Sequence, residues 1–463
     1  MTKKRVTRRA ALKVGGAAMA APYIIPNSAL GNDATPPASE RVNVGIIGLG
    51  GRARSIARSC GTVAGIQIQA VCDCFQFEVD RFAHAYGKDQ KWGLYTDFRK
   101  MIEEQKLDGV MIETTTHARG WITVIALQMG MDAYIEKPMA LTIQEGRHMA
   151  KAAEKYKRVT QIGTQQRSMP LNNWVSDQVK SGVLGKGLHV LAPNFVGPEF
   201  YKPMPKQPLP RGGTKEAWDI WTNQATPRPY HPAIHHGWNK YWAYDGGGPC
   251  YGVTGWGTHS IDQVQRALGT DLTGPTEIEL LEPVANKRTG EWKTPEGRKD
   301  TGSRYRGLAR NVVGPRAKVR MKYANGVELK LELDGDYGPG LGAIFVGENG
   351  TIELNRDNVI ADPAELINSP DRPDPLRVDE NNPHIQNWVD CIKSREKCTA
   401  DIEIGQRSTT VCYMINLARE VGRVGETLKW DPDAEKFTNF TDANDSSYIH
   451  RPRREGYELP ELT

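Results

Sequence analysis

Short apolar runs alternate with amphipathic segments along the first third of the chain. The run Val42–Ile47 ends in glycines and is followed by apolar residues at helical spacing, which predicts a strand, a tight turn and a helix. Further strands are predicted in "IQIQAVCD", "DGVMIETTT", "DAYIEKP" and "VTQIGTQQRS", with helices between them. Because these strands lack a polar face, the pattern indicates a parallel sheet that helices cover on both sides.

The pattern changes after this region. Pro and Trp become dense between Pro198 and Trp256, and later segments such as "AKVRMKYANGVELKLELDG" alternate apolar and polar residues around an Asn-Gly turn, which is typical of antiparallel strands. We therefore predict an α/β protein. An N-terminal Rossmann domain with a doubly wound parallel sheet should span 41–165, and a C-terminal α+β domain with a large, mainly antiparallel open sheet should span 166–430. A polar tail, 431–463, is expected to wrap the surface.

Length and composition fit this division. A chain of 463 residues is long enough for two cores, and 39% hydrophobic with 25% charged residues is typical of a soluble globular protein. The net charge of +5 is small for this length and is concentrated near the N-terminus, so it indicates no nucleic-acid partner. The seven cysteines are widely spread and show neither a disulfide framework nor zinc-ligand spacing, so we expect no metal.

The N-terminus has the pattern of an export signal. A basic head precedes a weakly apolar stretch that is too short and too rich in Gly and Ala to span a bilayer. The segment "TRRAALK" resembles the twin-arginine signal, with Arg8 and Arg9 as the pair. We therefore expect a signal peptide over 1–31, a linker over 32–40, and a periplasmic or otherwise exported protein without stable membrane insertion.

The first glycine turn carries a dinucleotide-binding fingerprint. The motif Gly48-x-Gly50-x-x-Ala53 supplies a glycine for the tight turn, a glycine at which the backbone can approach a pyrophosphate, and a small residue for close packing of the helix. Asp73 closes the second strand, where a carboxylate can accept hydrogen bonds from ribose hydroxyls and repel a 2′-phosphate. The sequence therefore favours NAD over NADP, although Arg52 and Arg81 could still meet a phosphate.

A later motif extends this interpretation. Glu136-Lys137-Pro138 follows a strand of the Rossmann pattern and precedes "GTQQRS". With these motifs, and with "AWDIWTNQATPRPYHP", "FVGENGTIEL" and "HIQNWVDCIKSREK", the chain resembles the glucose-fructose oxidoreductase/inositol dehydrogenase/rhizopine-catabolism (Gfo/Idh/MocA) family over nearly all of its mature length. The resemblance implies an NAD(P)-dependent oxidoreductase that moves a hydride between a hydroxyl of a sugar, sugar derivative or polyol and the nicotinamide. It also implies a homodimer or homotetramer.

The resemblance further implies a catalytic pair. In this family the lysine of the Glu-Lys-Pro motif lies between nicotinamide and substrate, so Lys137 is expected to hydrogen-bond the reacting hydroxyl and help to remove its proton. Pro138 is commonly cis in the family. His259, in "VTGWGTHSID", matches the histidine of the family's Asp-x-Gly-x-His-x-x-Asp motif and is expected to serve as an acid or base, or to orient a sugar hydroxyl.

One acid of that motif is missing, because Gly255 stands where the first aspartate belongs. Either the lysine and the histidine act alone, or a neighbouring side chain completes the site; the candidates are Tyr244, Asp245 and Tyr251. A third interpretation is that oxidation is not the net reaction. An NAD-dependent glycoside hydrolase or lyase oxidises its sugar transiently with bound cofactor, and other relatives oxidise one sugar while reducing another. A catalytically weakened sugar-binding relative is a further alternative.

The expected binding residues form two groups. "ETTTHARG" stands where the family usually has a threonine-proline-aspartate/asparagine-histidine run, and it is expected to line the nicotinamide ribose and phosphate. The expected cofactor-binding residues are Gly48, Gly50, Gly51, Arg52, Ala53, Asp73, Thr114, Thr115, His117, Glu136, Lys137 and Gln165. The expected substrate residues are Arg167, Tyr244, Trp256, His259 and Asp262. Trp256 would pack on the apolar face of a sugar ring. Two of these residues have a structural alternative: Arg167 could contact a neighbouring subunit, and Asp262 could cap or pair within the fold.

Overall fold

The computed structural model contains two compact units, residues 1–41 and 42–463. The described part of the first unit has one element, the 3-10 turn Ala38–Glu40, and both large sheets belong to the second unit. The expected signal peptide lies outside the described residues. No helix in the described part is long and apolar enough to cross a membrane. The described residues are 36–87, 90–248, 250–288, 312–333, 339–356 and 358–462.

The N-terminal sheet of the second unit confirms the predicted doubly wound arrangement. Its strands are β1 (Val42–Ile47), β2 (Ile66–Cys72), β3 (Gly93–Tyr95), β4 (Gly109–Ile112), β5 (Asp132–Ile135) and β6 (Thr160–Ile162). Their order is β3-β2-β1-β4-β5-β6, and all neighbouring strands run parallel. The strand order reverses between β1 and β4, and doubly wound sheets bind their ligands at the carboxyl ends of the strands beside this reversal.

Helices cover both faces of this sheet, as the absence of a polar strand face requires. They are α1 (Gly51–Cys60), α2 (Gln76–Tyr86), α3 (Phe98–Glu104), α4 (Thr116–Gln128) and α5 (Ile143–Tyr156). The start of α5 is set by Thr142, whose hydroxyl accepts a hydrogen bond from the Glu145 N–H at 3.2 Å. Asp97 caps α3 in the same way, accepting from the Arg99 N–H at 3.0 Å. These caps satisfy N–H groups that have no partner within the helix.

The second sheet is large and mixed, with one parallel pair among otherwise antiparallel neighbours in the described residues. The later strands in chain order are β7 (His189–Pro193), β8 (Pro275–Leu280), β9 (Ala285–Arg288), β10 (Val313–Arg316), β11 (Val319–Tyr323), β12 (Glu328–Leu333), β13 (Ala343–Gly347), β14 (Gly350–Asn355), β15 (Asn358–Asp362), β16 (Thr427–Asp431) and β17 (Lys436–Phe437). The sheet order is β15-β14-β13-β7-β12-β11-β8-β16-β17, and β7 with β12 forms the parallel pair. Strands β9 and β10 form a separate antiparallel ribbon. The predicted mainly antiparallel C-terminal sheet is therefore confirmed.

Three of the later helices pack on one face of this sheet and form the second core with it. The helices after β6 are α6 (Pro170–Lys180), α7 (Lys215–Thr222), α8 (Pro232–His235), α9 (Trp256–Leu268), α10 (Asn381–Ser394) and α11 (Ile402–Val421). The core face belongs to α6, α9 and α11, whose apolar side chains meet the inward residues of the central strands. Helix α9 begins directly after Gly255, so the core holds the "WGTHSID" segment in place.

Helix α10 packs against the first domain, although it lies far away in the sequence. Its Trp388 is fully buried among residues of β1, β2 and α1, and its ring lies 5.9 Å from that of Tyr134 in β5. A Cβ at Gly109 would lie 3.1 Å from the Trp388 ring and 2.8 Å from the Asp132 carbonyl oxygen, so glycine allows the close approach of these groups. The Rossmann core is therefore completed by a late segment of the chain.

The Trp-rich region between β7 and α9 forms its own aromatic core. Trp218 stacks on Trp221 with ring centres 4.6 Å apart and an angle of 11° between the planes, and Tyr230 meets Trp218 edge to face. Phe75, from the first domain, belongs to the same core. We call residues 215–240, which include α7, α8 and the 3-10 turn Trp238–Lys240, the aromatic segment.

The C-terminal residues run back over the helices of the first domain. The Tyr457 ring packs 5.1 Å from Trp121 of α4, and the Pro460 carbonyl oxygen lies 2.9 Å from Nε2 of His148 in α5. Apolar side chains of the tail, including Leu459, pack against the core below these helices. The last segment thus connects the second domain to α4 and α5.

Candidate functional site

The glycine turn after β1 has the geometry that a bound pyrophosphate requires. Gly48 has φ = +87°, and a Cβ there would lie 2.9 Å from the Thr114 backbone nitrogen. A Cβ at Gly50 would meet no atom within 4 Å, so the backbone faces open space, and α1 begins at the next residue, Gly51. Ala53 is fully buried against the strand. An anion in this open space would meet the N–H groups of a helix N-terminus.

A cavity of about 520 Å³ opens beside this turn. The Rossmann domain contributes its glycine turn, Asp73, Thr114 and Thr115, which lie at the carboxyl ends of β1, β2 and β4. The opposite wall comes from the aromatic segment, through residues that include Ile220 and Trp238. The open backbone at Gly50 fits the pyrophosphate of a dinucleotide, and the Asp73 carboxylate at the cavity edge fits one of its riboses.

Asp73 is held firmly at the edge of the cavity. Its Oδ2 accepts a hydrogen bond from the Leu49 N–H at 2.9 Å, and its Oδ1 accepts from the Phe75 N–H at 3.0 Å. Burial raises the pKa of Asp73, while these two hydrogen bonds oppose the rise. The backbone bonds therefore fix the carboxylate where a ribose hydroxyl would reach it.

A second acid, Glu78 of α2, lies on the same side of the cavity between two arginines. The Arg81 guanidinium donates a hydrogen bond to Glu78 Oε2, and Arg54 of α1 lies 3.9 Å from the same oxygen. All three side chains line the cavity. Glu78 thereby pairs with the two arginines that line this side of the cavity.

Arg52 and Glu136, both expected to touch the cofactor, pair with each other. Arg52 donates through Nε to Glu136 Oε1 and through a terminal nitrogen to Asn381 Oδ1 at 2.8 Å. Glu136 Oε2 accepts from the Lys137 N–H at 3.0 Å. Burial opposes ionisation, yet the charges of Arg52 and Lys137 hold the pKa of Glu136 below its usual value. Gln165 lies 3.1 Å from the Asn381 amide. The Arg52–Glu136 ion pair thus orients the backbone of Lys137.

Lys137 lies at the centre of the constellation. The Lys137–Pro138 peptide bond is cis, and the ammonium group donates a hydrogen bond to the Gly255 carbonyl oxygen at 3.0 Å. Burial lowers the pKa of Lys137, as does the charge of Arg52, whereas Glu136 and Asp245 oppose the change. Gly255, which stands where the family has its acid, therefore supplies a backbone hydrogen-bond acceptor for Lys137.

His259 lies one turn into α9 and is buried. Burial, followed by the charge of Lys137, lowers the pKa of His259 well below 6.5, so the imidazole is neutral at pH 7. Its Nδ1 has no hydrogen-bond partner within the described part of the chain. Trp256, at the start of the same helix, packs against Tyr251 with ring centres 4.8 Å apart. The charge of Lys137 therefore acts on the imidazole of His259.

Of the three side chains considered for the missing acid, Asp245 is the one whose charge acts on Lys137. Its carboxylate accepts hydrogen bonds from Thr116 Oγ1 at 2.8 Å and from Thr254 Oγ1, the residue before Gly255. Tyr244 instead lies in the aromatic core, 4.9 Å from the His117 ring, and burial raises the pKa of Tyr244 to about 12.

Arg167 and Asp262, expected near the substrate, form a fully buried ion pair. Arg167 Nε lies 2.9 and 2.8 Å from the two Asp262 carboxylate oxygens, and a terminal nitrogen meets Asp271 at 2.8 Å. Ser408 of α11 also donates to Asp262, at 2.7 Å. These contacts join α9 to α11 and to the 3-10 turn that contains Arg167, which matches the structural alternative that the sequence left open for Asp262.

The loop after β4 divides between the cavity and the domain junction. Thr114 and Thr115 line the cavity, whereas His117 is buried with its Nε2 2.8 Å from the Trp221 carbonyl oxygen. Burial lowers the pKa of His117 to about 3. The structure thus places His117 on the side of α4 that meets α7 and not with the threonines that face the cavity.

Three residues of the site were not among those predicted. Arg119, fully buried on α4, donates to the Pro138 and Thr114 carbonyl oxygens and so ties the two loops together. Glu113 lies buried beside Glu136, and burial followed by that neighbouring charge raises the pKa of Glu113 to about 8. Both were visible as charged residues next to a predicted strand end, whereas nothing local marks Asn381 as a partner of Arg52.

Comparisons with known proteins agree with this architecture. The description "Oxidoreductase family, NAD-binding Rossmann fold" matches residues 42–164, and "Oxidoreductase family, C-terminal alpha/beta domain" matches 172–305 and 307–459. Among curated proteins, the chain is similar to a glycosyl hydrolase family 109 protein 1 of Shewanella sp. (strain ANA-3), with 28% identity over 203 residues. That match covers 41% of this chain and 42% of the relative, so the chain spans about two fifths of the relative's length.

Two solved structures show the same fold. An aldose-aldose oxidoreductase from Caulobacter crescentus, complexed with glycerol, has a TM-score of 0.57 at 16% identity, and the match covers 84% of this chain and 99% of that one. The WlbA dehydrogenase from Bordetella pertussis, in complex with NADH and UDP-GlcNAcA, has a TM-score of 0.55 at 14% identity, with the same coverage. Since both family descriptions together span nearly the whole chain beyond residue 41, this protein belongs to the Gfo/Idh/MocA family of oxidoreductases.

Proposed function

We propose that this protein is an exported, NAD-dependent oxidoreductase that transfers a hydride between a hydroxyl of a sugar, sugar derivative or polyol and the nicotinamide. The observation that carries the proposal is the placement of Lys137. Its partly buried side chain is bonded to the Gly255 carbonyl oxygen, and its charge acts on a neutral His259. Lys137 is connected to the glycine turn through Glu136, which accepts from the Lys137 N–H and from Arg52 in the first turn of α1. The glycine turn itself can accept a dinucleotide. Bound NAD would supply the hydride acceptor.

Lys137 takes the proton of the reacting hydroxyl in this proposal. Because burial lowers the pKa of Lys137, its neutral amine is more populated at a given pH than that of a lysine in water, and only the neutral amine can accept a proton. The bond to Gly255 fixes the direction of the side chain. His259, neutral and with a free Nδ1 among the described residues, orients a sugar hydroxyl by hydrogen bonding.

The preference for NAD over NADP rests on two carboxylates. A 2′-phosphate would approach Asp73, which backbone N–H groups hold at the cavity edge, and Glu78, which already occupies the two nearest arginines. Like-charge repulsion would disfavour the phosphate, whereas the 2′-hydroxyl of NAD can donate a hydrogen bond to a carboxylate.

A second candidate function is an NAD-dependent glycoside hydrolase, in which the sugar is oxidised only transiently. The similarity to a glycosyl hydrolase family 109 protein favours it. One experiment separates the two. The purified protein is first extracted to identify bound nucleotide, and is then assayed with free sugars and with aryl glycosides. Net NADH from free sugars supports the dehydrogenase, and aglycone release without net NADH supports the glycosidase. Absence of nucleotide even after incubation with NAD would contradict both and leave a sugar-binding relative.

Export is a separate part of the proposal and rests on the sequence of residues 1–31 alone. A reporter fused to residues 1–40 should be found outside the cytoplasm, and changing Arg8 and Arg9 to lysine should retain it inside. A reporter whose location does not change would contradict twin-arginine export.

A further inference from the structure

The second domain supplies one wall of the cavity that the glycine fingerprint opens. Five residues of the aromatic segment line it, from α7, from the end of α8 and from the turn that follows. They are Ile220, Trp221, His235, His236 and Trp238. A dinucleotide lying across this cavity would therefore be enclosed by both domains and not only by the Rossmann sheet.

The aromatic segment is attached close to Asp73, at the ribose end of the cavity. The His235 ring packs on Phe75 with centres 5.0 Å apart, and the Phe75 N–H is the group that binds Asp73 Oδ1. At its other end the segment is held by the hydrogen bond between His117 of α4 and the Trp221 carbonyl. Two contacts with the first domain thus fix the position of this wall.

The chemistry of the two facing walls suits a flat apolar ring. Phe98, Ala118 and Ile122 line the cavity from the first domain. From the second domain, Ile220 is 42% exposed, and Trp238 is only partly buried. When a ligand covers apolar side chains that are accessible inside a cavity, their removal from water makes binding more favourable. In a dinucleotide oriented with its pyrophosphate at Gly50 and a ribose at Asp73, the adenine ring lies next to that ribose.

We propose that the aromatic segment forms the outer wall of the adenine subsite, with Ile220 and Trp238 contacting the ring. The inference rests on the proposed binding of NAD, and it assigns to the second domain a role in cofactor binding besides that in substrate binding. Adenine is thereby held between the domains.

ADP-ribose is the direct probe, because it keeps the adenine, both riboses and the pyrophosphate but has no nicotinamide. Its dissociation constant is measured by titration calorimetry with the full-length protein. Ile220→Ser and Trp238→Ala should each weaken ADP-ribose about tenfold, the size typical of a lost stacking or apolar contact to a base. Trp238→Phe keeps an aromatic ring and should bind nearly as tightly as the wild type.

Leu272→Ser is the matched control, because Leu272 is 65% exposed in the same domain but does not line the cavity. It should bind ADP-ribose as the wild type does. If Trp238→Ala does not fold, Ile220→Ser decides alone, since Ile220 lies on an accessible helix face. Unchanged ADP-ribose affinity in folded Ile220→Ser would overturn the adenine subsite while leaving the proposed function intact. A wild-type protein that binds neither ADP-ribose nor NAD would overturn both.

Discussion

At the scale of single residues, the proposed function depends on how burial changes the acid-base behaviour of Lys137. An ammonium group out of water loses hydration, so its pKa falls, and the acids that oppose this fall limit how far it goes. The motif around Lys137 allowed its role to be predicted. The acceptor at Gly255 could not be predicted, because it is a backbone carbonyl that no residue type marks.

Replacing Lys137 by methionine keeps the volume of the side chain and removes the proton acceptor. We expect kcat to fall about 100-fold or more, the usual contribution of a general base, with little change in the dissociation constant for NAD. Steady-state kinetics and calorimetric titration with NAD check this. Lys240→Met, at a partly exposed lysine of the aromatic segment, is the control and should keep full activity. Full activity in Lys137→Met would remove Lys137 from the mechanism.

Asp245 is predicted to set the pKa of Lys137 from a distance. Its negative charge raises that pKa, so Asp245→Asn should lower it. The rising, acid-side limb of the kcat profile, which reports deprotonation of the lysine, should then move to lower pH. The asparagine amide oxygen can still accept the hydrogen bond from Thr116 that Asp245 accepts at 2.8 Å. A pH profile of kcat between pH 5 and 10 measures the shift. Reduced activity with an unmoved profile would show that Asp245 acts only in packing.

The Arg167–Asp262 pair is predicted to contribute to stability and not to chemistry. Asp262→Asn would leave a buried guanidinium without its main partner, and we expect the free energy of unfolding to fall by about 3 kcal/mol. Denaturant titration measures it. Asp271→Asn, at a carboxylate that is 30% exposed beside the same guanidinium, should cost less. An equal loss in both variants would contradict the assignment.

At the scale of secondary-structure elements, five of the six strands of the first sheet were predictable because each is encoded by a contiguous apolar run. The exception is β3, which has three residues, none of them buried. Helix α10 has a clear pattern of its own, but its place on the Rossmann core follows from the packing of Trp388 against Tyr134, a contact between segments more than 250 positions apart. The tryptophans of the aromatic segment were visible in the sequence as a dense run, but density alone does not predict that Trp218 and Trp221 stack on each other.

Glu78, in the first turn of α2, is predicted to affect the choice between NAD and NADP. Glu78→Gln should release Arg81 and Arg54 and raise the affinity for NADP about tenfold, because a phosphate can then meet two unpaired cations. Affinity for NAD should change little. Titration of both coenzymes gives the ratio of dissociation constants, and Asp80→Asn, at an exposed acid of the same helix, serves as the control. An unchanged ratio in Glu78→Gln would contradict the role of Glu78.

At the scale of the whole molecule, three late segments converge on the Rossmann domain: the aromatic segment, α10 and the C-terminal tail. Family resemblance predicted two domains and a site between them. The contacts that close the site depend on long-range packing, which periodicity within a segment does not encode. The cofactor cavity is consequently lined by both domains, and Lys137 of the first domain bonds to Gly255 of the second.

The most direct test is a single-turnover measurement of NADH absorbance. Protein loaded with one equivalent of NAD is mixed rapidly with a panel of free sugars, polyols and aryl glycosides. Hydride transfer predicts that NADH appears with at least one substrate in the wild type, persistently for a dehydrogenase or transiently for a glycosidase, and that Lys137→Met suppresses it. Product formation from a substrate without any NADH signal would contradict hydride transfer to the nicotinamide.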